Sequence, residues 1–462
     1  MKPRDLKRRD FFRYSAVGLS GATLTGLAFP RDKTERRLKS PSKEDPLYQK
    51  VLATPLIDTH EHLMNESERI QAGKTVWDKA NDWTFLLSHY FDSDLVAAGM
   101  TQADHDRFFS TSLDPLEKWK LLEPFWPYVK YTGYGLNVRH TLQDIYGIDD
   151  LTWETVGRLE EAYQAAIRPG FYRHLLRDIG NIESCQVNLW PFLESEQPDL
   201  LMSDLHISGL IEDDWDPKYA REAGIDVKTL GNWHRVVDYW IKTYGKKAVA
   251  VKSTMAYGRD LDCVRTPPEE VEKAFLKKLN KEPLTADERK ALEDHLFWYA
   301  VDRATEMGLP VKLHTGYYAG HGQMPLRRVQ GNPAAICELC RESPETRFVL
   351  FHIGYPYYEE MLAIAKHYPN AYMDMCWSWI INPLAAKDFL KKYLVTAPAN
   401  KIFTFGGDYI PVELVPGHAA IARQGITQAL SELVDEGWMT LKEALSLTDV
   451  IMHQNARTLY RL

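Results

Sequence analysis

Between Pro55 and Gly407 the chain repeats one pattern, a short apolar run followed by a longer stretch of helical periodicity. Apolar runs separated by helices build parallel sheets, because a parallel strand needs a crossover and the crossover helices cover both sheet faces. Eight runs fit: Pro55–His60, Ile182–Trp190, Leu205–Leu210, Ala248–Ser253, Pro310–Thr315, Phe348–Ile353, Ala371–Cys376 and Ile402–Gly407. Helical patterns follow most of them, as at Asn332–Ser343 and Ala419–Gly437. Eight such units most simply close into an α/β fold, the (β/α)8 TIM barrel. Met64 to Gly180, rich in Trp, Tyr and Phe, reads as a largely helical insertion after the first strand, over about residues 64–180, capping that strand's end.

Composition narrows the function classes. A hydrophobic share of 45% and a charged share of 26% are those of an ordinary globular protein. A formal net charge of -8 gives no field that attracts phosphate backbones, so nucleic acid is not an expected partner. Five cysteines over 462 residues argue against a disulfide framework, and the single CxxC, Cys337 to Cys340, lies in a helical pattern.

The N-terminus reads as an address. Lys2 to Arg13 carry six basic side chains, and Tyr14 to Phe29 is an apolar, Gly-rich run. That run is shorter than the ~20 residues of a membrane span and fits the apolar core of a secretory signal. Lys7-Arg8-Arg9-Asp10-Phe11-Phe12-Arg13 is similar to the twin-arginine export signal, which implies a periplasmic or other extracytoplasmic site. Residues 1–30 are thus expected to be the signal, 31–50 a linker and 51–462 the barrel, with no stable membrane span once the signal is removed.

Chemistry concentrates where the runs end, and barrel active sites form at the C-terminal ends of the strands. The first run ends in Asp58-Thr59-His60-Glu61-His62, and alternation points His60 and His62 to the same side. The fifth ends in Lys312-Leu313-His314, the sixth in Phe351-His352 and the eighth in Gly406-Gly407-Asp408. Imidazoles with one carboxylate suit a divalent ion, zinc first among them. His89, His105, His174, His295 and His367 fall in helical or loop patterns and are expected to be structural. Alternation also aims Asp58 and Lys312 into the interior beneath this site, where the two charges are expected to meet or share a polar partner.

These motifs resemble the amidohydrolase superfamily: HxH after an apolar strand, single His at two later strands and Asp at the last. More narrowly, residues 310–462 resemble the amidohydrolase-like domain of nodulin- and FluG-type proteins. This likeness is carried by Pro310-Val311-Lys312-Leu313-His314-Thr315-Gly316, Leu350-Phe351-His352-Ile353-Gly354-Tyr355-Pro356-Tyr357, Asn370-Ala371-Tyr372-Met373-Asp374 and Asn455-Ala456-Arg457-Thr458-Leu459-Tyr460. Lys252-Ser253-Thr254-Met255-Ala256-Tyr257 at the fourth strand fits the same pattern. The resemblance implies a metal-dependent hydrolase in which His60, His62, His314 and Asp408 hold the ion and Asp408 is the catalytic base. His352 is then a second-ion ligand or a donor to the substrate oxygen. Some relatives carboxylate a lysine at the fourth strand to bridge two ions, so Lys252 is either that bridge or an anchor for a substrate carboxylate. One ion is the favoured count, two the alternative.

Residues just past the strands should line the pocket. Trp190, Tyr257, Arg259, Tyr317, Trp377 and Trp379 stand there and, with Lys252, suit a small anionic substrate such as a sugar acid or an acylated amino acid. The expected reaction is cleavage of a C–N or C–O bond. Related barrels also decarboxylate aromatic acids or isomerise sugar acids, and an exported binding protein stapled by a metal is the non-enzyme alternative. Beyond the small molecule, further copies of this chain are the one protein partner left open.

Overall fold

The computed structural model describes residues 45–71, 80–212 and 217–462. The expected signal and most of the expected linker lie outside them. Residues 46–50, expected to close that linker, instead open the helix Pro46–Ala53. Pro46 suits a first turn because its missing N–H has no partner there in any helix, and the Asp45 carboxylate accepts from Leu47 N at 2.8 Å.

The strands are β1 (Leu56–Glu61), β2 (Ile182–Val187), β3 (in two pieces, Leu201–Ser203 and Leu205–His206), β4 (Val251–Ser253), β5 (Val311–Leu313), β6 (Phe348–Leu350), β7 (Ala371–Asp374) and β8 (Ile402–Phe403). Every neighbouring pair is parallel and follows chain order. The first piece of β3 pairs with β2 and the second with β4, so the break at Asp204 joins the two halves of one sheet. Thr59 N donates to Phe405 O at 3.1 Å, and Asp408 N donates to His60 O at 2.8 Å, which closes β8 and its continuation onto β1. The fold is therefore the expected barrel. The third strand differs in position, covering 201–206 rather than 205–210. Backbone past His206 bends at Ile207, and Ser208–Ile211 forms a helical turn whose apolar side chains are buried at helical rather than strand spacing.

Helices surround the barrel and fill most of the described insertion, as in Gly133–Tyr146 and Trp153–Ala166. Gly133–Tyr146 lies so close to the long helix Leu414–Asp435 that a Cβ at Gly417 would come within 2.4 Å of Asn137 Oδ1. Trp379, expected in the pocket, is instead core. Its Nε1 donates to Thr404 O at 2.8 Å, and its ring lies where a Cβ on Gly425 would stand, 2.1 Å from a ring carbon. Gly425→Ala is therefore expected to destabilise the fold by about 1–3 kcal/mol through overpacking, read as a lower Tm with the metal content unchanged.

Below the site, Lys312 is fully buried and its Nζ donates to Asp204 Oδ2 at 2.7 Å, Gln186 Oε1 at 2.6 Å and Thr59 O at 2.9 Å. Asp58 is not its partner. The Asp58 carboxylate accepts from His60 N and Gly407 N and pairs with Glu61, a pair in which burial raises both acids so that a proton is retained between them. The pairing of β1 with β2 slips between Leu56 and Ile57 and again between Asp58 and Glu61, which breaks the alternation that aims Asp58 at Lys312.

Candidate metal centre

β1 and the chain after β8 meet at one point. His60 Nε2 and His62 Nε2 lie 3.3 and 3.2 Å from Asp408 Oδ1, and all three donors fall within 4.8 Å of one another. Asp408 holds a left-handed φ of +62°, a conformation costly for a residue with a side chain, and the surrounding groups fix it there. Its N–H donates to His60 O, its C=O accepts from Tyr90 Oη at 2.7 Å, and the next N–H, of Tyr409, donates to Glu61 Oε2 at 2.6 Å.

The donor chemistry calls for a cation. His62 Nδ1 lies 2.9 Å from the carbonyl oxygen of Asn188, which can only accept, so Nδ1 carries a proton and Nε2 is the nitrogen turned to Asp408. A divalent ion here would be held by His60, His62 and Asp408, and the outer hydrogen bond to Asn188 fixes the His62 ring for it. Burial lowers His60 well below the usual histidine range, which keeps the ring neutral, as a ligand must be. Burial alone raises the Asp408 acid, but the positive charge that His60, His62 and His352 can carry and a hydrogen bond from His62 outweigh this and pull it well below the usual range.

His314 and His352 stand together one step away. Nε2 of His314 donates to Tyr317 O at 2.9 Å, and Nδ1 of His352 donates to Cys376 O at 3.0 Å. Their remaining nitrogens, His314 Nδ1 and His352 Nε2, lie 3.0 Å apart, within hydrogen-bond distance. Burial brings His352 down to about 4 and His314 well below its usual range. His314, expected beside His60 and His62, thus pairs with His352, while His352 Nε2 lies 3.9 Å from Asp408 Oδ2.

A cavity of about 700 Å³ opens above these groups, lined by His60, His62, His314, His352, Asp408 and Lys252 together with Asn188, Trp190, Tyr257 and His89. The Lys252 ammonium lies 3.7 Å from the centre of the Phe351 ring, and burial lowers it to about 8. Tyr257 packs its ring 4.4 Å from that of His314. Trp190 is 60% exposed and stacks on His206, presenting a flat face at the mouth.

Besides Trp379, three expected pocket residues lie elsewhere. Arg259 turns outward to Asp294 at 2.5 Å and Glu293 at 3.3 Å on the helix Ala286–Glu306. Trp377 is fully buried, stacked on Tyr90 at 4.3 Å and edge-on to His352 at 5.3 Å, so it backs the site without lining the cavity. Tyr317 lines a neighbouring cavity of about 370 Å³ with Asp94, Tyr318, His321 and Arg328.

Others lay outside the expectation. His89, expected to be structural, lines the cavity and stacks on Tyr90, so the insertion supplies part of the wall. Asn188 follows β2 directly, and both its side-chain Oδ1 and Nδ2 are buried without a hydrogen-bond partner. In the sequence Asn188 falls inside the apolar run Ile182–Trp190, and its signal is a polar side chain interrupting that run.

The comparisons with known proteins agree with this architecture. A protein-family profile described as Amidohydrolase matches residues 278–462. The protein fluG of Emericella nidulans is 25% identical over 229 residues, 46% of this chain, and the chain spans about a quarter (26%) of that relative's length. Uronate isomerase from Thermotoga maritima superposes with a TM-score of 0.73 at 15% identity, covering 90% of this chain and 96% of its own. Glucuronate isomerase from Caulobacter crescentus gives 0.73 at 17% identity, covering 92% and 96%. The likenesses to the two solved structures show the barrel fold along the chain, and the family match covers its C-terminal part, residues 278–462.

Proposed function

We propose that this chain is a metal-dependent hydrolase of the amidohydrolase superfamily, exported by the twin-arginine route, that cleaves a C–N or C–O bond of a small anionic substrate. The carrying observation is the convergence of three donors: His60 Nε2 and His62 Nε2 lie 3.3 and 3.2 Å from Asp408 Oδ1, with the His62 ring fixed by Nδ1–H donating to Asn188 O. A divalent ion there, zinc by the donor set, would lower the pKa of a bound water to near 7 and polarise a carbonyl.

The chain's own groups supply the rest. Asp408 Oδ2 is the oxygen turned away from His60 and His62 and takes up the proton that water loses, passing it to the leaving group. Lys252 offers a positive charge to a substrate carboxylate, and Trp190 a face for a flat or sugar-like ring. Asn188 presents a free donor and a free acceptor at the cavity wall, suited to a substrate hydroxyl or amide. Asn188→Ala is therefore expected to raise KM by about tenfold, the value of one lost hydrogen bond, with kcat less affected.

The test is a panel of N-acyl amino acids, lactones and sugar acids, run with the metal-loaded enzyme in isotopically labelled water. Hydrolysis predicts one product carrying one solvent oxygen. Conversion of a uronate to a ketose without that label would replace hydrolysis by the second reading, isomerisation of a sugar acid. The two uronate isomerases that share the fold over nine-tenths of the chain support that second reading. Carbon dioxide as product would replace both.

A further inference from the structure

The metal cavity has a neighbour. Tyr257 and Ala319 line both it and the second cavity of about 370 Å³, so the two stand side by side. The Tyr257 ring lies along the boundary, 4.4 Å from the His314 ring on one side and 4.7 Å from the Tyr318 ring on the other. The second cavity carries one charge of each sign. Asp94, on the insertion helix Phe91–Ala97, accepts from the Thr132 hydroxyl at 2.6 Å and has no ion-pair partner among the described residues. Burial raises it to about 6, so it remains ionised at neutral pH. Arg328, on the helix Leu326–Glu342, donates from Nη1 to Gly258 O at 2.9 Å, from Nη2 to Tyr257 O at 2.8 Å and from Nε to the Tyr318 hydroxyl at 3.2 Å. These acceptors are neutral and use only part of the guanidinium's N–H array, and among the described residues no carboxylate pairs with it. Opposite charges on one cavity wall, not joined to each other, are matched together only by a ligand that carries both. A ligand of one sign satisfies one of them and is repelled by the other. Tyr317 and Tyr318 add ring faces on which an ammonium or its methylenes pack.

Resting on the proposed hydrolase reading, we infer that the second cavity is a subsite for the zwitterionic head of an amino acid whose side chain carries the scissile amide. The α-ammonium faces Asp94, the α-carboxylate faces Arg328, and the side chain runs past Tyr257 to the metal cavity. Such a substrate is a diamino acid acylated on its side-chain nitrogen. Water adds across the amide: its oxygen bonds to the acyl carbon, the C–N bond breaks, and the amine leaves with the proton passed on by Asp408. A carboxylate on the acyl part meets Lys252 and makes the whole substrate anionic.

The test is calorimetric titration of the protein, metal-free and metal-loaded, with Nε-succinyl-L-lysine and with two edited forms of it, one acetylated on the α-amine and one amidated on the α-carboxylate. The unedited probe should bind at least about tenfold more tightly than either edited form, the value of one charge-assisted hydrogen bond. Asp94→Asn should cancel the penalty for acetylating the amine and keep the penalty for amidating the carboxylate, a split that general loss of structure does not produce. If Asp94→Asn does not fold, the three probes on the wild type decide alone. Equal affinity for the three, no binding of the unedited probe, or an Asp94→Asn variant that keeps the full preference for the free amine overturns the inference and leaves the metal centre standing. The head preference without release of free lysine by the metal-loaded protein retains the subsite and contradicts hydrolysis.

Discussion

Asp408→Asn should lower kcat/KM by roughly a thousandfold or more while leaving the fold intact, because it removes both a ligand charge and the group that moves the proton. The amide keeps the shape of the carboxylate and stays within reach of His62 Nε2, which the carboxylate oxygen approaches to 3.2 Å. Metal-free Asp408→Asn is expected to melt somewhat below the metal-free wild type, because the neighbouring histidines favour the ionised carboxylate in the fold. The ion widens the difference. A ligand that binds only the folded state at a thousand times its Kd stabilises by about 4 kcal/mol, so zinc should raise the wild-type Tm by several degrees and the variant's far less. An undiminished zinc shift in the variant would remove Asp408 from the centre.

The second large effect lies beneath the site. Asp204→Ala should cost about 3–5 kcal/mol, since it leaves the Lys312 ammonium buried with only Gln186 Oε1 and Thr59 O as acceptors. Adding Lys312→Met removes the unpaired charge and should return most of that loss, a non-additivity that denaturant unfolding of the two single variants and the double reads directly. Losses that simply add would show that the two side chains do not act as a pair.

These two sites also show what the sequence makes legible. His60, His62, His352 and Asp408 were readable because each ends an apolar run, and in a closed barrel the strand ends share one rim. The partner of Lys312 was hidden because Asp204 sits inside β3, in a polar step between two short apolar pieces, where a strand pattern breaks off. Asp58 was misassigned for a related reason, since alternation holds only while the register does. Arg259 and Trp379 stand past strand ends but on segments that turn outward or into the helical layer, a matter of loop path that spacing does not record. His89 comes from the insertion, and its place beside the rim depends on long-range packing.

The central claim is that His60, His62 and Asp408 form a metal centre. The most direct measurement is elemental analysis of chain lacking residues 1–30, purified without chelators, beside a His60→Ala/His62→Ala double variant shown by circular dichroism to be folded. The account predicts at least one tightly held divalent ion per chain in the first and loss of that ion in the second. Folded protein that holds no ion after reconstitution, or a double variant that keeps it, would contradict the account.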